Sequence, residues 1–221
     1  MKKFSRAQII AIGTLFILCG ILVLSSQYLL DKRNSLFELI NMQLYFNQMT
    51  DEPNVPDIVI DEPVEPDTPT EEPAPEPEVI TESYIAVLEI PAVDLKKGIY
   101  SLGSKYNTVN RNVAILSPSD YPDVPGGNFV LAAHSGNGYL SFFRNLYKLN
   151  SGDYAYIYYN NVKYTYKITY IYTQPKTGTI NVYRPYNKTT LMLITCTKDD
   201  ESTQTVYVAE LINQESNIDA Q

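Results

Sequence analysis

The chain has 221 residues, a formal net charge of −8, two cysteines and one histidine. Its length allows one ordinary domain with appendages, and two cysteines cannot build the disulfide framework of a small secreted scaffold. Twelve acidic residues and no Lys or Arg fall between residues 51 and 82, so the rest of the chain carries +4. No basic stripe indicates a nucleic-acid partner.

The N-terminal part contains a long apolar segment. Residues 7–30 carry no charge, and this length crosses a hydrocarbon layer of about 30 Å as a helix. A cleaved signal peptide is the alternative, but no small-x-small cleavage site follows the segment cleanly. Three basic residues precede it and two follow it, which favours a cytoplasmic N-terminus at 1–6. The sequence therefore predicts a single-pass anchor over 7–30 in the cell membrane, with the C-terminal part outside the cell.

Two further segments separate this predicted anchor from the rest of the chain. Residues 31–50 place apolar residues at loose helical spacing and form a predicted juxtamembrane segment. Residues 51–82 are rich in Pro and Glu and contain no aromatic residue. Such a composition cannot bury enough apolar area to offset chain entropy, so we expect a disordered, extended spacer.

From residue 83 onward the pattern changes to short strands with turn residues between them. Seven strands are expected, at 84–90, 113–116, 128–134, 154–159, 163–172, 191–196 and 206–211, with a possible eighth at 98–100. Asn160-Asn161 indicates a hairpin, and 140–149 indicates an amphipathic helix. The fold class is therefore mostly β: a single closed or nearly closed barrel over 83–214 with one or two short helices. A short C-terminal tail follows at 215–221.

Two chemically versatile residues stand at the ends of apolar strands. Cys196 ends the run 191–196, and His134, the sole histidine, ends the run 130–134. A cysteine on a rigid strand end can act as a nucleophile, and a histidine can be its acid and base. The alternatives are a cysteine that simply closes a strand as a small hydrophobe and a histidine with a structural role. Thr195 either helps to position this site or is a core residue.

The same residues resemble a known family, the sortases, cysteine transpeptidases of Gram-positive bacteria. The resemblance covers about residues 84–213 and runs through five ordered stretches: Val87-Leu88-Glu89-Ile90-Pro91, Gly127 to His134, Phe142 to Leu146, Leu149 to Asp153 and Leu193-Ile194-Thr195-Cys196. It implies an eight-stranded sortase-type β-barrel. It also implies that His134 is the catalytic histidine and Cys196 the nucleophile that forms an acyl-enzyme.

The resemblance further implies the reaction and its partners. Cys196 would cleave an LPXTG-like sorting signal and pass the acyl group to an amine, such as a cell-wall precursor or a pilin lysine. No cofactor is expected. No carboxylate cluster indicates a metal site, since Asp199, Asp200 and Glu201 are more simply a solvated loop.

The sequence departs from the family at one position. Sortases carry a catalytic arginine on the strand after the cysteine, in some members five residues before an alanine. Counting back from Ala209 gives Gln204, and no arginine follows Arg184. Gln204 could donate a hydrogen bond to an oxyanion or be a solvated strand residue, and Arg184 is a remoter candidate donor. A weak or inactive relative that only binds sorting signals is the alternative function.

Overall fold

The computed structural model describes residues 6–49 and 82–216. One helix, α1, runs over Arg6–Met49, and eight strands follow: β1 Ala86–Ile90, β2 Leu95–Ile99, β3 Ala114–Ile115, β4 Asn128–Ala132, β5 Tyr154–Tyr159, β6 Val162–Pro175, β7 Thr190–Thr197 and β8 Asp200–Ser216. Short 3-10 helices occupy Pro91–Val93 and Leu146–Lys148. The chain forms two compact units, Met1–Asn41 and Met42–Gln221.

The eight strands form one nearly closed sheet in the order β2-β1-β5-β6-β8-β7-β4-β3. Neighbouring strands pair antiparallel except β4 and β7, which pair parallel. The possible eighth strand proves to be β2, and β8 is longer than its apolar run 206–211. The predicted mostly β, eight-stranded barrel is thereby confirmed.

The predicted hairpin between β5 and β6 follows from its turn residues. Asn160 and Asn161 have φ of 49° and 59°, which places both in the left-handed region. Asparagine tolerates this region better than most residues, and two such residues match the twist of paired strands. The pairing of Tyr159 with Val162 closes a two-residue loop.

Strand β7 is buried on both of its faces. Leu191 and Leu193 pack into the main core inside the barrel, whereas Met192 and Ile194 pack into a second cluster on the other face of the sheet. This second cluster includes Val130, Ala132, Val206 and Val208 from β4 and β8. Double burial explains why the run is apolar without alternation.

The amphipathic helix predicted over 140–149 is wrong. The segment consists of turns, with a 3-10 helix only at Leu146–Lys148. Its backbone is tied by i→i−3 bonds such as Arg144 N to Ser141 O at 3.1 Å, while Phe143 N donates to His134 O at 2.9 Å and the Arg144 side chain donates to the carbonyls of Ser141 and Gly138. Apolar spacing alone therefore predicts a helix where the structure has a packed loop.

The N-terminal predictions fare differently. The anchor predicted over 7–30 is not supported, since no helix within 6–49 or 82–216 is long and apolar enough to cross a membrane. Instead of ending at residue 30, α1 continues through the charged residues 31–33 to Met49. The predicted spacer 51–82 lies outside the described residues apart from Glu82, as do residues 1–5 and 217–221.

The end of α1 that belongs to the second unit packs on the outside of the barrel. Met42 and Tyr45 are buried against Tyr84 and Val87, and Phe46 contacts the Tyr158 ring edge-on at 5.3 Å. The Tyr45 hydroxyl donates to the carbonyls of Tyr158 and Ile85 at 2.8 and 3.2 Å. This burial raises the pKa of Tyr45 above its ordinary value.

Removing this hydroxyl is expected to destabilise the second unit. Tyr45→Phe leaves two partly buried carbonyls without their donor, and such a loss costs about 1 kcal/mol of unfolding free energy. Tyr154→Phe is the control, because the Tyr154 side chain is exposed on β5. Denaturant unfolding of the three proteins measures the difference. Equal stability of Tyr45→Phe and the parent would show that the two hydrogen bonds of the Tyr45 hydroxyl do not stabilise this unit.

Candidate active site

The site is built on the only parallel strand pair of the described sheet. The register of β4 and β7 ends at Ala132 opposite Ile194, and three bonds continue the contact beyond it. Ala133 N donates to Ile194 O at 3.3 Å, Thr195 Oγ1 to Ala133 O at 2.8 Å, and Ser135 Oγ to Cys196 O at 2.8 Å. These bonds hold the two strand ends side by side.

This arrangement places His134 and Cys196 at the same level. Each follows its registered neighbour, Ala132 or Ile194, by two residues, and the three bonds keep the two chain segments adjacent at this point. Adjacent strands lie about 4.8 Å apart. His134 is exposed and Cys196 is half-buried, so a substrate can reach both.

The His134 ring has a polar neighbour that sequence analysis missed. Nε2 lies 3.1 Å from Oδ1 of Asn110, in the connection between β2 and β3. An amide oxygen only accepts hydrogen bonds, so this contact selects a ring that carries a proton on Nε2. In the neutral imidazole, Nδ1 is then the nitrogen left to accept a proton.

Gln204 lies directly across from Cys196. The two residues pair in the antiparallel register of β7 and β8, and Gln204 pairs in turn with Gln174 on β6. A row of three side chains therefore crosses one face of the sheet: Cys196, Gln204 and Gln174. Gln174 is buried, and its Oε1 accepts from Asn181 N at 2.9 Å.

Both glutamines keep an unused donor. Within residues 82–216, Nε2 of Gln204 and Nε2 of Gln174 are buried and have no hydrogen-bond partner. Leaving such a donor unpaired costs about 1–3 kcal/mol, so native proteins do so rarely. Of the two, Gln204 is the one whose backbone pairs directly with Cys196.

Arg184 lies at the opposite end of the strands. Its Nη1 donates to the carbonyls of Gly126 and Gly127 at 3.0 and 3.3 Å and contacts Thr190 Oγ1 at 3.3 Å. Thr190 begins β7, and the six residues from there to Cys196 span about 20 Å. Arg184 thus joins the start of β7 to the turn before β4, away from the thiol.

The closest cation to the thiol is a residue that sequence analysis did not single out. Lys176 Nζ lies 3.3 Å from Cys196 Sγ. Lys176 lies immediately after Pro175, the last residue of β6. Only the register of β6, β8 and β7 relates it to Cys196, which is 20 residues later in the chain.

A bulge in β8 shapes this end of the site. Thr197 pairs with Asp200 and Cys196 with Gln204, which leaves residues 201–203 as extra chain on β8. Asp200 holds them: its carboxylate accepts from Ser202 Oγ at 2.6 Å, from Ser202 N at 2.9 Å and from Thr203 Oγ1 at 2.9 Å. These bonds, with the Ser202 side chain first, lower the pKa of Asp200.

A cavity of about 240 Å³ opens beside Cys196. Polar, basic and aromatic side chains line it, including Ser135, Arg144, Lys198, Tyr147 and Tyr207. Burial raises the pKa of Tyr207 to about 12, so this phenol stays protonated at neutral pH. The volume is smaller than that of a typical drug-sized pocket and suits one short side chain.

The described residues offer no evident metal site. Among them, no group of three or more His, Cys, Asp and Glu side chains is arranged to hold a metal ion.

Comparison with known proteins places this geometry in a family. The Sortase domain family model matches residues 88–212. The chain is similar to the lid mutant of sortase A from Corynebacterium diphtheriae, with 26% identity and a TM-score of 0.54 over 62% of this chain and 74% of that one. It is similar to a Clostridium perfringens sortase D5 transpeptidase, with 25% identity and a TM-score of 0.50 over 62% and 84%.

Sortase C1 from Streptococcus agalactiae is similar at 25% identity, with a TM-score of 0.53 over 59% of this chain and 69% of that one. No curated protein matches the sequence significantly. The family match spans more than half of the chain, and it contains both strand ends that carry His134 and Cys196. On this evidence the chain belongs to the sortase family.

Proposed function

We propose that this protein is a cysteine transpeptidase that cleaves an LPXTG-like sorting signal and transfers the acyl group to an amine. The amine belongs to a cell-wall precursor or to a pilin lysine. One observation supports the proposal: His134 and Cys196 each follow the last registered pair of β4 and β7 by two residues, and the bond from Ser135 Oγ to Cys196 O holds these two chain segments together.

The first half of the reaction forms an acyl-enzyme. The Cys196 thiolate attacks the carbonyl carbon of the Thr–Gly bond, and a carbon–sulfur bond forms. As the tetrahedral intermediate collapses, the carbon–nitrogen bond breaks and the departing amine takes a proton from the His134 imidazolium. A thioester on Cys196 and a neutral imidazole remain.

The second half returns the enzyme to its starting state. The incoming amine attacks the thioester carbon and gives its proton to the neutral His134. The carbon–sulfur bond then breaks, and Cys196 leaves as a thiolate. Water takes the place of the amine when none arrives, and the protein then acts as a hydrolase.

Gln204 is our proposed donor to the oxyanion of both tetrahedral intermediates. Its place opposite Cys196 and its unpaired Nε2 support this role. A substrate oxygen would give that amide the acceptor it lacks within residues 82–216. The amide is neutral, so it contributes a hydrogen bond but no charge.

Peptide acylation of the full chain tests the function. The protein is mixed with a panel of LPXTG-like peptides, and intact-protein mass spectra are recorded. We expect the parent to gain the mass of the peptide up to its threonine and Cys196→Ala to gain nothing. Cys19 remains in the variant, so it also controls for acylation elsewhere.

The absence of an adduct has a specific meaning if a thiol reagent still labels Cys196. In that case the transpeptidase proposal fails for these peptides, and the alternative of a sorting-signal binding module is favoured. Titration of Cys196→Ala with fluorescent peptides then measures binding.

We also propose that the domain works on the outer side of the cell membrane, where sorting signals and amine acceptors meet. The basic residues that precede the apolar segment 7–30 support a cytoplasmic N-terminus. Protease treatment of intact cells tests this location, because an outward-facing domain would be digested and an inward-facing one would not.

A further inference from the structure

The site lacks the cation that its family would lead one to expect. Gln204 is neutral, and Arg184 is engaged at the far end of β7. His134 changes its charge during each half-reaction of the proposed function. Cys196 is a thiolate before it attacks the peptide and again when the thioester breaks. A nearby positive charge that stays constant stabilises both of these states.

Lys176 meets this requirement by position. Its Nζ lies 3.3 Å from Cys196 Sγ, within the range of a hydrogen bond to sulfur. Its ammonium takes no part in the proton transfers assigned to His134. Within residues 82–216, no carboxylate lies within 4.0 Å of this ammonium to neutralise it.

The backbone holds Lys176 in this place. Its N–H donates to Ser202 O at 2.8 Å, and Thr177 N donates to Pro175 O at 3.1 Å. Ser202 belongs to the β8 bulge, which Asp200 secures through two bonds to that serine. The lysine stem therefore starts from a fixed edge beside the bulge and reaches the thiol across β8.

We propose that Lys176 is a catalytic residue whose ammonium stabilises the Cys196 thiolate, in place of the missing arginine charge. It donates a hydrogen bond to Sγ and transfers no proton. The same contact stabilises the thiolate as leaving group when the thioester breaks. This inference deepens the proposed function, on which its role in turnover rests.

Alkylation by iodoacetamide tests the inference without a sorting-signal peptide. The reagent is uncharged, so a lysine cannot attract it, and it reacts with the thiolate. The full chain is used with Cys19→Ala in all variants, so that Cys196 is the one thiol, and intact mass follows the rate at pH 7. A failure of the proposed peptide chemistry leaves this readout unaffected.

Lys176→Met keeps the length of the side chain and removes its charge. We expect labelling to slow by about five- to tenfold, the effect of one close but solvent-accessible opposite charge on an acid's ionisation. Lys176→Arg keeps a charge and should label within about threefold of the parent. Lys167→Met, an exposed lysine on the same strand, is the matched control and should label at the parental rate.

Two results would overturn the inference. One is a parental labelling rate in Lys176→Met. The other is an equal loss in Lys176→Arg and Lys176→Met, which would show that charge is not the cause. Lys176→Gln serves as a second neutral variant if Lys176→Met lowers the melting temperature.

Discussion

Replacing His134 with alanine is expected to slow acyl-enzyme formation by about 10²- to 10⁴-fold, the usual contribution of a positioned acid or base. The departing amine would leave without a proton, because no other histidine exists in the chain. Tyr207, a phenol whose pKa burial raises to about 12, is a much weaker acid than an imidazolium. Rapid-quench mass spectrometry with the peptide that acylates the parent measures the rate.

Alkylation of Cys196 is the control for His134→Ala. Iodoacetamide needs only the thiolate, so alkylation of His134→Ala should fall far less than acylation, with Lys176 still 3.3 Å from Sγ. Asn110→Ala loses the acceptor at Nε2 but keeps the ring, and its acylation rate should lie between those of the parent and His134→Ala. An acylation rate in His134→Ala within threefold of the parent would exclude this residue as the acid.

Gln204→Leu is expected to reduce the acylation rate by about 10²- to 10³-fold, the measured scale for removing one oxyanion donor. Leucine has a similar size but no donor. The same change should leave the melting temperature unchanged or raise it, because it removes a buried Nε2 that has no hydrogen-bond partner within residues 82–216. A loss of rate without a loss of stability is the signature of a functional donor.

Gln174→Leu is the matched control. It carries a similarly unpaired Nε2 but lies one strand further from Cys196, and its Oε1 bonds to Asn181 N. We expect it to lower stability and to change the acylation rate little. If Gln204→Leu acylates as fast as the parent, the oxyanion donors are to be sought among backbone N–H groups near Cys196.

Much of the barrel could be predicted because local runs of apolar residues and the turn residues between them mark its strands. The run 191–194 is apolar because β7 is buried on both faces, and Asn160-Asn161 requires a turn through the left-handed region. The segment 140–149 failed the same reasoning. Its apolar residues face the core from a loop whose carbonyls accept bonds from Arg144. Apolar residues at helical spacing do not distinguish such a loop from an amphipathic helix.

Some residues of the candidate site could likewise be chosen from the sequence, and others could not. His134 and Cys196 could be chosen from the sequence because a lone histidine and an unpaired thiol are visible in the chain, and Gln204 could be chosen through the resemblance to sortases, by its offset from Ala209. Asn110 and Lys176 could not be chosen, since nothing near them in sequence marks them. Their partners are 24 and 20 residues away.

The sequence by itself determined the mostly β class, the family resemblance and the two residues to which we assign the proposed chemistry. Apolar periodicity and turn chemistry act over a few residues, so local reading recovers them. Only the tertiary structure decided which groups surround the thiol. Strand register and the β8 bulge place Gln204 and Lys176 beside Cys196 and leave Arg184 at the other end of β7. Register depends on contacts between distant segments, and a slip of one residue would turn every one of these side chains to the other face.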